Sequence, residues 1–131
     1  MTRLLSPAIA VFGAYQLVQG LIMAVAPRFF YDEIGPFGPY NDHYVRDAAT
    51  WSLALGAVLL VAARRPAWRV PILVFAALQF GLHAVNHVFD AGDATTLAVG
   101  VLDAVALAVL TVLLAALAWA AAAGSRTEVG S

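Results

Sequence analysis

The chain contains no cysteine and no lysine. Without cysteine there is no disulfide, no thiolate metal ligand and no thiol redox chemistry. Without lysine there is no Schiff base to a carbonyl cofactor and no lysine nucleophile. All seven cationic side chains are arginine. Charge of either sign is scarce. Asp, Glu, Lys and Arg make up 11% of the 131 residues, against about a quarter in an ordinary soluble chain. So small a fraction excludes a soluble globular domain and a charge-rich disordered one. A net charge of −1 excludes the basic footprint of a nucleic-acid binder. What is present is apolar: 63% of residues are hydrophobic, and the mean hydropathy is +0.85. These values describe a small polytopic membrane protein, read as one integral domain over 1–131.

A spanning helix needs roughly 20 apolar residues, and four stretches qualify. They run from Pro7 to Ala26, His43 to Ala63, Ala67 to Phe89 and Ala94 to Ala123. Ser6 reads as the N-cap of the first, with Pro7 at its first helical position. Asn41 and Asp42 are cap candidates for the second, and Asp93 for the fourth. Pro71 falls in the first turn of the third, where a missing N–H is tolerated. Ala24-Val25-Ala26 has a small-x-small pattern, but the apolar stretch exceeds the roughly 7–15 residues of a signal-peptide core. The first segment is therefore read as a retained span. The expected architecture is an all-α, up-down-up-down four-transmembrane-helix bundle. The segment 27–42 joins the first two spans. Its Pro27, Gly35-Pro36 and Gly38-Pro39 argue against a regular helix, and an interfacial loop is preferred over a lid. The tail 124–131 is expected to fray.

Arginine sets the orientation. Arg3, Arg64, Arg65, Arg69 and Arg126 fall on one side, Arg28 and Arg46 on the other. The expectation is a multi-pass protein of a bacterial plasma (inner) membrane with both termini cytoplasmic. The outer side then carries Asp32, Glu33, Asp42, Asp47, Asp90 and Asp93. Trp68 and Trp119 suit the inner interfacial belt. Phe29, Phe30, Tyr31, Phe37, Tyr40 and Tyr44 suit the outer one.

Polar residues inside spans are costly and tend to be functional. Here they are grouped. On the third span, Gln79, His83, Asn86, His87 and Asp90 share one helical face. On the second, His43, Arg46, Asp47 and Thr50 share another. The fourth has Asp103 and the first has Gln16 and Gln19. Across a tight antiparallel turn, residues at equal depth have a constant sum of residue numbers. His43 then lies level with His87, Asp47 with His83, and Thr50 with Gln79. Over the next turn His83 lies level with Asp103, ~10 Å below the outer helix ends at 1.5 Å per residue. The inner half has only Leu, Val and Ala with an occasional Ser or Thr. The pattern predicts a polar pocket in the outer half, closed below by an apolar plug. A channel would need polar lining through its full depth.

Three readings of this pocket stand side by side. The first is a metal site: His43, Asp47, His83, His87 and Asp103 are N/O donors suited to Zn, Fe, Mn or Cu, and haem between His43 and His87 is a remoter variant. The second is an organic-ligand or enzyme site. Asp47, His83 and Asp103 would do the acid–base work. Arg46 would hold an anionic group, and Gln16, Gln19, Gln79 and Asn86 would supply hydrogen bonds to a quinone-like or lipid-like molecule. The third is non-enzymatic: the polar groups bond across helices and fix packing in an accessory subunit. A proton-coupled transporter would need a homodimer, with Gly13, Gly20 or Gly56 at the contact.

The run Ala26-Pro27-Arg28-Phe29-Phe30-Tyr31, then Asn41-Asp42-His43-Tyr44-Val45-Arg46-Asp47, then Leu53-Ala54-Leu55-Gly56 resembles small bacterial four-helix membrane proteins of the DoxX-like kind. His83, Asn86, His87 and Asp90 extend the resemblance through the third span. It implies a plasma-membrane four-helix bundle and, through the founding members, an association with quinone-linked oxidation. It carries no catalytic assignment to a residue of this chain.

Overall fold

The computed structural model describes residues 2–129, with side chains over 4–124. It is an all-α up-down-up-down bundle of four long helices with one short helix at one end. The elements are α1 (Thr2–Val25), α2 (Pro27–Glu33), α3 (Asp42–Arg64), α4 (Pro66–Phe89), a 3₁₀ turn at Ala91–Asp93, and α5 (Leu97–Val129). The four long helices are each long and apolar enough to cross a bilayer. The chain is a multi-pass integral membrane protein. Its outward faces agree, with Leu82 73% and Leu102 68% exposed. The side chains of Arg3 and Arg126, used above for orientation, lie outside the described residues.

Proline sets two of the helix breaks. Ala26 precedes Pro27 and Arg65 precedes Pro66, and both leave the helical region. Clash with a following proline ring disfavours helical φ/ψ at the residue before it. Proline then opens the next helix at its first turn, where its missing N–H costs nothing. This allows the short helix α2 within a segment read from sequence as irregular. Its Gly-Pro pairs lie beyond Glu33.

Other boundaries differ from expectation. α1 starts at Thr2 and carries Pro7 inside it. Ser6 is not its cap, because the Ser6 hydroxyl accepts a hydrogen bond from Arg69 Nη2 at 2.7 Å. Arg69 also donates to the carbonyls of Ala62 at 3.3 Å and Ala63 at 3.2 Å. A cation at the carbonyl end of α3 is favourably placed. Pro71 lies in the second turn of α4, which runs through it. The Asn41 side chain caps α3 as expected, accepting from the N–H groups of His43 and Tyr44. Thr96, not Asp93, caps α5: its hydroxyl accepts from Val99 N–H at 3.3 Å. α5 continues to Val129, past the point where the sequence reading ended it. Gly130 and Ser131 lie outside the described residues.

The helices associate as two antiparallel pairs. α1 lies along α3 and α4 along α5, while contacts between the pairs are fewer. Between apolar helices in lipid, close packing replaces the hydrophobic effect as the source of attraction, and small residues permit it. At Gly56 an added Cβ would stand 2.8 Å from the Gly13 carbonyl oxygen. At Gly20 it would stand 2.9 Å from Leu53 N. These glycines, read above as candidates for a dimer contact, are used inside the bundle. The buried core occupies the half that holds the α3–α4 turn, with Leu5, Ile9, Leu59, Leu73 and Leu114 at its centre. This is the apolar plug.

Candidate functional site

Above that core the two pairs part. A cavity of about 600 Å³ lies between them, in the half of the bundle that carries α2. Each long helix contributes one stripe to its wall. α1 gives Gln16, Gln19 and Met23, and α3 gives Ala48, Trp51, Ser52 and Leu55. α4 gives Gln79, Phe80, His83 and His87, and α5 gives Asp103 and the apolar turn below it. The wall is apolar for most of its area. Its polar groups come from all four long helices.

Three of those groups are unpaired. Gln16 Nε2, Gln79 Oε1 and His87 Nδ1 are withdrawn from solvent with no hydrogen-bond partner. Gln16 is 2% exposed and is the buried polar residue of the core. Leaving a buried polar atom unpaired costs about 1–3 kcal/mol. Three in one wall mark a place where polarity is held against the preference of the fold.

The segment after α2 covers the end of the cavity. Phe37 forms an isolated antiparallel bridge to Ala94. Gly38 N–H donates to the Asp93 carbonyl at 3.1 Å. Gly38 adopts φ +59°, a conformation that glycine takes at little cost. The Tyr31 hydroxyl donates to the Gly38 carbonyl. Phe37 then lies edge-on to His87, with ring centroids 4.3 Å apart, and His87 is likewise edge-on to His83 at 4.6 Å. Phe30, Ile34 and Gly35 complete the cover. The segment is thus a strap across the bundle, not the interfacial loop preferred from sequence. Phe30 and Phe37 turn inward and leave the outer aromatic belt. Outside, Arg28 lies over the rings of Tyr40 and Tyr31 at 5.1 and 5.9 Å. It pairs with Asp32 at 2.8 Å, and that hydrogen bond pushes the guanidinium further above its ordinary value.

Of the residues expected at the site, Gln16, Gln19, Gln79, His83, His87 and Asp103 line the cavity. His43, Arg46, Asp47 and Asn86 do not. His43 pairs with Asp47 at 3.4 Å and Arg46 with Asp42 at 3.1 Å. Both are one-turn pairs on the exposed surface of α3, where such contacts contribute little. Thr50 is exposed beside them and bonds back to the Asp47 carbonyl at 2.7 Å. The physical reason is rotation. α3 is turned by its contact with α1 through Gly56, Leu53 and Ala49, and that leaves the His43–Thr50 face outside. Equal depth does not fix which way a helix faces. The ladder between α3 and α4 is therefore not formed, and Asp47 does not join His83 and Asp103.

The metal reading is corrected by the same rotation. Among the described residues no three His, Asp or Glu side chains come together to hold one ion. His43 and His87 lie on different faces, so no axial pair for haem exists either. Arg46 cannot hold an anion in a cavity it does not line. His83 and Asp103 share the wall without a hydrogen bond between them. Sequence reasoning missed the wall residues Ala48, Trp51 and Ser52, because nothing in the α3 pattern separates its α1-facing side from its cavity side.

Comparison of the chain with protein-family models, with curated proteins and with solved structures gave no match.

Proposed function

We propose that the cavity binds a small amphipathic molecule, quinone-like or lipid-like, and that His83 and Asp103 exchange protons with it. The observation that carries this reading is the set of unpaired buried atoms on Gln16, Gln79 and His87. The unpaired Gln16 Nε2 is a donor and the unpaired Gln79 Oε1 an acceptor, so a hydroxyl, or a carbonyl beside a hydroxyl, matches the two. The apolar remainder of the wall suits the body of such a molecule. In this proposal the protein sits in a bacterial plasma membrane with both termini in the cytoplasm and the cavity in the extracytoplasmic half. The arginines of the α3–α4 turn and the acidic residues of the opposite end support that orientation. The DoxX-like resemblance of Asn41–Asp47 accords with it.

The test is solvent extraction and mass spectrometry of protein purified in mild detergent, wild type beside Gln16→Leu/Gln79→Leu. The expected result is a stoichiometric amphiphile in the wild type that the variant loses while keeping its fold. Because neither amide has a protein partner, the variant should be at least as stable as the wild type in unfolding assays. Identical extracts from both proteins would refute the reading and leave the polar wall to packing in an accessory role.

A further inference from the structure

We propose that the occupant is an uncharged, membrane-dissolved molecule that enters the cavity sideways from the bilayer, through a seam between the two helix pairs. This rests on the cavity being a binding site and adds its route and the class of molecule that can use it.

The two ends of the bundle are closed to such a molecule. On one side the strap is fastened across the cavity by the Phe37–Ala94 bridge and the Gly38–Asp93 hydrogen bond. On the other, the packed leucines and alanines of the core fill the bundle. The pairs α1–α3 and α4–α5 are the closely packed ones. Entry is left to the seams between pairs.

Both seams have the features of a portal. Ala48, Trp51 and His83 at the α3–α4 seam, and Tyr15 and Ala106 at the α1–α5 seam, are at once part of the cavity wall and exposed on the bundle surface. A residue with one side in the cavity and the other toward lipid lies at an opening. Trp51 is 56% exposed and stacks on Phe75 of α4, with centroids 5.9 Å apart and planes 7° apart. That stack joins α3 to α4 at the level of Trp51. Gln79, with its unpaired oxygen, lies one turn from both Phe75 and His83 on α4, just inside.

Charge selects the class. No arginine lines the cavity, and Asp103 does. A carboxylate or phosphate head would meet a carboxylate and find no cation, and a charged head is costly to carry through a bilayer-facing seam. A neutral carbonyl or hydroxyl head meets neither obstacle.

The test uses a small aryl diazirine dissolved in the vesicle membrane and a water-soluble diazirine outside it, with labelled residues mapped by mass spectrometry. Gln16 is the reporter, because it is 2% exposed and lines the cavity. Val18, 59% exposed on the same helix, reports lipid contact and intact folding. The membrane-dissolved reagent should label Gln16 and the water-soluble one should not. Ala48→Trp narrows the α3–α4 seam and Ala106→Trp the α1–α5 seam, and the double variant should cut Gln16 labelling severalfold and leave Val18 unchanged. If the double variant disturbs Val18 as well, the milder Ala48→Leu/Ala106→Leu takes its place. Labelling of Gln16 from water, no labelling by either reagent, or undiminished labelling in the double variant would each overturn the route. None of these outcomes depends on the natural ligand, so the extraction experiment above stands or falls separately.

Discussion

Gly56→Ala puts one methyl group into the closest approach of α1 to α3. The added Cβ would lie 2.8 Å from the Gly13 carbonyl oxygen, 2.8 Å from Leu17 Cγ and 2.9 Å from Leu17 N. Two of these three are backbone atoms of α1, so relief requires the helix to move. In a helix interior alanine is favoured over glycine by about 1 kcal/mol, and overpacking costs about 1–3 kcal/mol. The two effects oppose, and the steric one wins by about 1 kcal/mol at its mid-range. Gly81→Ala is the control. Its nearest neighbour is the flexible end of Thr111, at 3.3 Å, so the backbone preference should dominate and stability should hold or rise slightly. The assay is reversible unfolding by SDS in mixed micelles, followed by circular dichroism. Gly13→Ala presses on the same contact from the other side, at 3.0 Å from Leu59 Cβ and 3.1 Å from the Gly56 carbonyl oxygen. The double variant should lose less than the sum of the singles, because one displacement of α1 relieves both. A Gly56→Ala protein as stable as the wild type would mean that α1 and α3 do not meet here. The rotation that takes Asp47 away from the cavity would then lose its cause.

Arg69→Ala should destabilise the bundle by about 1–3 kcal/mol, since three hydrogen bonds to a charged donor are lost, and Arg69→Lys should recover part of this in the same assay. Thr96→Val should cost about 0.5–2 kcal/mol as a lost helix cap, whereas Asp93→Ala, which removes no side-chain hydrogen bond, should stay within about 0.5 kcal/mol. The absence of native cysteine makes orientation simple to read. A membrane-impermeant maleimide added to intact cells should label Asp93→Cys and spare Arg65→Cys, and the reverse pattern would invert the proposed topology.

The bundle was legible because its signals are long-range averages: four apolar stretches, separated by Pro27, Pro66 and the Asp90–Asp93 turn, admit few arrangements. Depth was legible too. Helical rise converts residue number directly into height, so His83 and Asp103 fall at one level, with Gln16 and Gln79 in the same polar pocket above an apolar plug. Azimuth was not. Whether His43 or Ala48 faces α4 is decided by which helix α3 packs against more closely, and that depends on Gly13, Gly20 and Gly56 meeting across α1 and α3. Each glycine was visible, yet the sequence does not say whether a small residue serves a neighbour in the bundle or a second copy. The strap was hidden for a related reason. Phe37 has no pattern around it that names Ala94 or His87 as partners.

The division into two tight pairs bears on how the molecule is made. Each pair is made of spans that follow one another in the chain, so its contacts can form as soon as both members are in the membrane. The cavity belongs to neither pair. It comes into being only when the second docks on the first, and the Gly38–Asp93 and Phe37–Ala94 contacts join the two like a clasp. A fault at Gly56 is therefore felt at the first pairing, early in biogenesis. A fault at Gln16 or Gln79 is felt after insertion and pairing are complete, in a protein that accumulates normally and is empty.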